Sequence, residues 1–464
     1  MVETSALAAA LASRLRALWR TEVEVSSVGA LPGGASRESW AVCVRTAGEA
    51  EEHRLILLRD ASRQDRYPDK NVAVEAAAMT AARRAGVPVA EVYDHGEGAL
   101  GQAYLLMERL DGETIPRRLL RDEAYAAVRP GLARRLGEVL ARIHQVDPDS
   151  VPGLPHVDAL GQLTALYQGF AEPRPALEIG LRWLAEHRPA PAADTLVHGD
   201  FRTGNLMVGE DGLRGVLDWE LTHRGDPRQD LGWLCTKAWR FGSPSPVGGF
   251  GARADLMAGY AAAGGTPPDE ETQRWWELYG TVRWALLCRR QAERFLAEGE
   301  PSIELAVLGR RVCEQEYDIL LALGHAAPLT VPDPLENAPP QSVPPHDRPS
   351  GPELLRAVRE FLTTEAGLGV GTDPRLRFHA RVAANALRIA EREALLAPAH
   401  EQAHRTRLAA LGCADEAALC AAIRDGALDH RFEEVAGAVR SATIDKLTVE
   451  IGRASCRERV YACV

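Results

Sequence analysis

Leu196-Val197-His198-Gly199-Asp200-Phe201-Arg202-Thr203-Gly204-Asn205-Leu206-Met207-Val208, followed by Val216-Leu217-Asp218-Trp219-Glu220, is the stretch on which the reading of this chain turns. Two short apolar runs flank a polar loop that contains two glycines, and a further apolar run delivers Asp218. A single acidic residue in a loop is usually just solvated. The full spacing, His-x-Asp-x₄-Asn and then an Asp after an apolar run, is far more specific. Phosphoryl transfer asks for a carboxylate beside the attacking hydroxyl and for oxygen ligands to Mg²⁺ on the phosphates. Asp200 can orient a hydroxyl and accept its proton. Asn205 and Asp218 offer hard oxygens to a metal.

These residues resemble the catalytic loop and metal-binding motif of the aminoglycoside phosphotransferases, choline kinases and their relatives. The form Phe201-Arg202-Thr203-Gly204-Asn205, with Asp218-Trp219-Glu220 and Gly225-Asp226-Pro227-Arg228-Gln229-Asp230-Leu231, is most similar to the phosphotransferase domains associated with acyl-CoA dehydrogenases. The resemblance covers residues 23 to 323. It implies an α+β, two-lobed, protein-kinase-like fold: a small antiparallel-sheet lobe, a larger helical lobe, and after them an all-α C-terminal domain. It also implies ATP and Mg²⁺ as cofactors and a small-molecule hydroxyl as phosphate acceptor. The competing reading is a nucleotide-binding pseudokinase or scaffold that regulates a partner. Trp219-Glu220 leads quickly to a capped helix, which leaves no room for a long peptide-docking segment.

Other pieces fall where that family would put them. The turn Leu31-Pro32-Gly33-Gly34-Ala35-Ser36 sits between the first two strands, so Gly33, Gly34 and Ser36 are expected over the nucleotide phosphates. Glu75 matches the glutamate that pairs with the phosphate-gripping cation. Leu105 to Leu110 resembles the hinge, with Met107, Glu108 and Leu110 at the adenine. Asp226-Pro227 caps a helix bringing Asp230 to the loop in a structural role. His198 reads as a packing and hydrogen-bonding residue, and Arg202 equally as a phosphate- or substrate-steadying group and as a solvated arginine. The chain departs from the family at Arg59, which ends Arg54-Leu55-Ile56-Leu57-Leu58-Arg59 where most relatives have lysine. Lysine occurs only at Lys70, Lys237 and Lys446. Arg59 therefore takes the lysine's place here, with a planar fork in place of a compact ammonium. The acceptor is expected against helices around Gln168 to His187 and Trp275 to Arg290, and the subgroup resemblance favours an acyl or hydroxy-acid metabolite over an aminoglycoside.

Outward from these motifs, strands are expected over Glu22 to Leu31, Glu38 to Arg45, Glu52 to Arg59, Ala90 to Asp94 and Ala103 to Glu108, with a helix from Asn71 to Arg84. Helices follow over Glu123 to His144, Leu160 to Phe170, Ala176 to His187, Asp255 to Ala263, Glu270 to Glu298 and Ile303 to Leu323. The units are 1–110 (nucleotide-binding lobe), 111–325 (helical catalytic lobe), 326–349 (an extended proline-rich linker), 350–449 (a helical domain, one helix starting at Asp373-Pro374 and running to about Leu396) and 450–464. The last resembles a translated sequencing adapter. A formal charge of −11 argues against nucleic acid or an anionic membrane as partner. No apolar run is long enough to span a bilayer. The N-terminus lacks a secretory pattern, so a cytoplasmic protein is expected. The eight cysteines fit no zinc spacing.

Overall fold

The computed structural model describes residues 2–31, 37–48, 51–60, 71–98, 100, 102–298, 302–337, 350–363 and 374–450. Gly33, Gly34 and Ser36 of the glycine turn, Lys70, Asp373 and the tail from residue 451 lie outside them. The upper lobe opens with helix α1 (Val2–Trp19), then strands β1 (Val23–Leu31), β2 (Arg37–Thr46) and β3 (His53–Asp60). Helix α2 (Val72–Arg84) and strands β4 (Val92–Glu97) and β5 (Ala103–Glu108) complete it. The strands form one antiparallel sheet in the order β1-β2-β3-β5-β4.

Strand alternation explains both faces of this sheet. Val42, Val44, Leu55, Leu57, Tyr104 and Leu106 point to one side, where Leu7, Leu11 and Leu15 of α1 cover them at helical spacing. Leu58, Leu105 and Met107 point to the other side, towards α2 and the lower lobe. Asn71 caps α2 by accepting from the N–H groups of Ala73 and Val74.

The lower lobe contains α3 (Pro116–Arg121), α4 (Arg129–His144), α5 (Ala159–Phe170) and α6 (Pro175–Glu186). Four short strands follow: β6 (Thr195–Val197), β7 (Leu206–Gly209), β8 (Gly212–Val216) and β9 (His223–Gly225). Then come α7 (Arg228–Cys235), α8 (Arg253–Ala262), α9 (Glu270–Leu296), α10 (Ile303–Gly309) and α11 (Val312–Ala322). β6 pairs with β9 and β7 with β8, both antiparallel. Helices α4 and α8 cross with almost no separation. A Cβ on Gly137 would strike the Leu256 carbonyl, and one on Gly259 the Arg134 carbonyl.

Two expected helices are broken. Residues 123 to 144 form a 3₁₀ turn, Glu123–Tyr125, before α4 begins beside Pro130, because proline offers no N–H and belongs in a first turn. Ile303 to Leu323 divides into α10 and α11 after Gly309.

The C-terminal region is all helix: α12 (Gly351–Thr363), α13 (Pro374–Leu411), α14 (Glu416–Arg424) and α15 (Phe432–Glu450). Helix α13 outruns its expected end near Leu396 and passes straight through Pro398. Buried Ile389, Leu408 and Leu411 on either side of it offset the ~3 kcal/mol a mid-helix proline costs.

This region packs firmly on the lower lobe. Ala176, Ile179 and Leu320 form one apolar cluster with Leu408, Leu411, Leu419, Ile423, Val435 and Val439. Arg182 grips Asp429 with both terminal nitrogens (2.5 and 2.7 Å), and Arg424 pairs with Glu178. The first part of the proline-rich segment is pinned as well. Tyr317 Oη donates to the Ala327 carbonyl (2.7 Å), Val331 is buried, and Asp333 accepts two bonds from fully buried Arg392 (3.0 and 3.1 Å). Residues 326–337 are therefore held against the protein, not extended away from it. The six described cysteines are free thiols.

Candidate active site

The loop between β6 and β7 is shaped before its side chains do anything. Gly199 takes φ +80°, where any Cβ would collide with the Leu221 carbonyl. Asp230 of α7, fully buried, accepts from the N–H of His198 (2.8 Å) and of Gly199 (2.9 Å), and lies 3.2 Å from His144 Nε2. Burial alone would raise its pKa. The hydrogen bond and charge of His144, with the His198 contacts, hold it below the ordinary carboxylate value. His198 takes the Asp200 N–H on Nδ1 and donates from Nε2 to the Leu217 carbonyl, each at 3.1 Å. Burial depresses its pKa, so it is a neutral strut with both ring nitrogens committed.

Asp200 is held from three sides. Trp233 Nε1 donates to Oδ1 (2.8 Å), Arg202 Nε lies 3.1 Å from both oxygens, and Asn205 Nδ2 donates to Oδ2 (2.7 Å) and to the Asp200 carbonyl (3.0 Å). That commitment leaves Asn205 Oδ1 as the amide atom for another partner. Arg283 of α9 donates to the Gly199 carbonyl (2.7 Å) and stacks on Trp233, while Arg202 stacks on Trp239.

Asp218 is joined to this loop through the Leu217 N–H, which donates to the Asn205 carbonyl (2.8 Å). Its backbone sits at φ +64°, a conformation rare for residues other than glycine and often found at working sites. Surrounding protein and then the carboxylates of Glu220, Asp200 and Glu75 push its pKa up, partly relieved by Arg202. Because the side chain still opens to solvent, repulsion among these carboxylates carries the effect. Such crowding invites a cation. Among the described residues no three His, Cys, Asp or Glu side chains make a metal cage on their own. The donors present are the Asn205 amide oxygen and the Asp218 carboxylate. Hard oxygens of this kind are the donors Mg²⁺ takes.

In the upper lobe the structure corrects the sequence reading. Glu75 was expected to pair with Arg59, yet its carboxylate accepts from Arg37 Nη1 at 2.6 Å. Asp60 lies directly opposite Arg37 in the β2–β3 ladder, and no bulge interrupts β3. Alternation therefore puts Arg37 and Asp60 on the α2 side. Arg59 lands on the far face with Leu55, Leu57 and Tyr104. It is buried there, and its Nε has no hydrogen-bond partner among the described residues. Arg37 is nine-tenths buried and also lies 3.4 Å from Asp60 and 3.9 Å from Glu220. Burial would lower its pKa, but Glu75 and Glu220 more than reverse this.

At the hinge, Met107 packs half-buried against the core. The Glu108 carboxylate turns outward to the Glu91 N–H (3.1 Å) and Arg83 (3.6 Å). The N–H groups of Glu108 and Arg109 are taken by the carbonyls of Glu91 and Arg54, whereas the Leu110 N–H has no partner among the described residues. Sequence reasoning missed Trp233, Arg283 and Arg37. The first had a signal: Asp230-x-x-Trp233 puts both side chains on one face of a short helix.

Acyl-CoA dehydrogenase family member 10 of Mus musculus is 32% identical over 182 residues, 34% of this chain and 16% of that protein. Acyl-CoA dehydrogenase family member 11 of Mus musculus is 30% identical over 166 residues, 32% and 21% respectively. The matched part thus spans about a fifth or less of these relatives' length. Among solved structures, an aminoglycoside phosphotransferase in complex with AMP-PNP and hygromycin B aligns over 68% of this chain and 100% of its own (TM-score 0.48, 16% identity). A spectinomycin phosphotransferase in complex with ADP and spectinomycin aligns over 67% and 97% (TM-score 0.48, 12% identity). Residues 371–451 match a domain of unknown function, DUF6285. Residues 28–276, more than half of the chain, match the phosphotransferase enzyme family, and the chain belongs to that family.

Proposed function

We propose that this protein transfers the γ-phosphoryl group of ATP to a hydroxyl of a small molecule. The observation that carries the reading is the Asp200 carboxylate, fixed by Trp233, Arg202 and Asn205 beside the oxygen pair of Asn205 and Asp218. A bound hydroxyl donates its hydrogen bond to Asp200. As its oxygen bonds phosphorus, the proton passes to that carboxylate and the bond to ADP breaks. Mg²⁺ held by Asn205 and Asp218 would neutralise phosphate charge. The Leu110 N–H, next to Met107 and Glu108, offers the edge of a purine a hydrogen-bond donor.

Residues 219 to 227 alone separate Asp218 from α7, which favours a small acceptor over a peptide. Among the described residues no helix is long and apolar enough to cross a membrane. A metabolite library screened for substrate-stimulated ATP consumption tests the proposal; stimulation abolished by Asp200→Ala supports it. One observation favours a second reading, nucleotide binding without transfer: Arg59, in the family's lysine position, faces away from Glu75. Mg²⁺-dependent ATP binding with no turnover on any library member would favour that reading.

A further inference from the structure

Resting on the phosphotransferase reading, we propose that Arg37, not Arg59, is the side chain with which the sheet lobe grips the nucleotide phosphates. Both arginines are buried, but only one lies on the side of the sheet that faces the chemistry. The ladder pairs Arg37 with Asp60, Ser39 with Leu58 and Ala41 with Ile56, so these residues share the α2 face. Leu58 packs on the core joining the two lobes, which fixes which face this is.

The second observation concerns hydrogen bonds. A guanidinium carries five N–H donors. Arg37 spends Nη1 on Glu75 at 2.6 Å, while its Nε is buried with no hydrogen-bond partner among the described residues. Asp60 at 3.4 Å and Glu220 at 3.9 Å attract the charge without completing that bond. An incompletely bonded guanidinium, nine-tenths buried, thus lies close to Glu220, two residues beyond Asp218. Its planar fork suits phosphate oxygens better than a third carboxylate at long range.

The third observation is charge. Glu75, Asp60 and Glu220 gather around one arginine, with Asp218 near enough to feel Glu220, Asp200 and Glu75. A triphosphate entering this acidic corner needs a cation fixed on the upper side. Among the described residues, Arg37 is the cation bonded to Glu75 there.

The test uses the full chain and calorimetric titration with Mg²⁺·AMP-PNP and, separately, with adenosine. Arg37→Met should weaken AMP-PNP binding on the order of tenfold or more while leaving adenosine within about twofold, the scale of one lost charge-assisted contact. Arg37→Lys should fall between, and Arg59→Met should change neither. If Arg37→Met does not fold because carboxylates are stranded, Arg37→Met with Glu75→Gln relieves the repulsion and is expected to behave alike. An unchanged AMP-PNP to adenosine ratio in the Arg37 variants would overturn the proposal. So would an equal loss of both ligands, which marks a purely structural ion pair, or a collapse of the ratio in Arg59→Met. A wild-type protein that binds neither ligand would instead remove the phosphotransferase reading itself, and this one with it.

Discussion

Asp230 and Trp233, one turn apart on α7, hold the two ends of the same loop segment. Asp230 accepts the backbone N–H groups of His198 and Gly199, and Trp233 donates to the Asp200 carboxylate at 2.8 Å. One short helix therefore sets both the path of the loop and the direction of its acidic side chain. With the loop aligned by Asp230 from behind, Trp233 joins Arg202 and Asn205 in fixing the rotamer of Asp200.

Trp233→Phe keeps an aromatic ring but removes that donor and part of a fully buried indole. We expect kcat to fall about tenfold, the effect of a slightly misaimed base, with KM for ATP unchanged and a lower unfolding temperature from the cavity left by the smaller ring. Steady-state kinetics on the identified acceptor checks this. An unchanged kcat would mean that Arg202 and Asn205 suffice to hold Asp200.

Asp200→Ala and Asp218→Ala are both expected to abolish turnover without unfolding the protein. They should differ in ligand binding. Asp218→Ala weakens Mg²⁺-dependent ATP binding, because it deletes a metal oxygen and eases the repulsion that made a cation welcome. Asp200→Ala leaves ATP binding near normal. Titrations with and without Mg²⁺ separate the two, and near-normal transfer by either variant would remove that residue from the mechanism.

Acid should draw stability from two buried histidines above the range in which ordinary carboxylates titrate. His198 and His223 are both buried with pKa values lowered chiefly by burial. The unfolded chain protonates them near pH ~6.5 while the folded one stays neutral. Stability is then complete above that pH and drains away as pH falls towards the lowered folded values. Asp218 and Glu450, whose folded pKa values are raised, act in the opposite sense, so the readout is a difference: between pH 7.5 and about 5.5, acidification should destabilise His223→Gln less than the wild type. Parallel profiles in the two proteins would contradict the buried, neutral state of His223.

A chain ending at Leu323 should keep its ATP site yet lose several kcal/mol of stability, since Ala176, Ile179 and Leu320 would be stripped of their apolar cover. Denaturant unfolding of the shortened and full chains measures the difference. Equal midpoints would show that the helical region adds nothing to the lobe beneath it.

Strands and the capped helix α2 were legible because alternation, Asn71 and Gly86 mark them locally. Arg59 was misread for a local reason too: Leu55-Ile56-Leu57-Leu58 is apolar on both faces, so the period of two that assigns Arg59 to the α1 side is invisible in it. Arg37 sits beside a glycine turn and reads as turn punctuation until the register pairs it with Asp60. Arg283 is 84 residues from the Gly199 carbonyl it holds, and no pattern in α9 announces that contact. The proline-rich segment misled in the opposite direction, because its anchor, Arg392, lies 59 residues beyond Asp333.

Helix α9 carries Arg283, which holds the loop at Gly199, and six residues further on Arg289, which bonds Glu172 at 2.5 Å. Glu172 bonds Arg174, Arg174 bonds buried Glu316, and Glu316 meets Lys446 of α15 at 3.5 Å. Charges of alternating sign thus run from the last described helix to the helix that braces the Asp200 loop. A C-terminal domain grafted from another protein would fit only if it brought its own cation to the place of Lys446. Without one, Glu316 would keep a single partner in a buried site, so these two units are constrained to diverge in step rather than trade places freely.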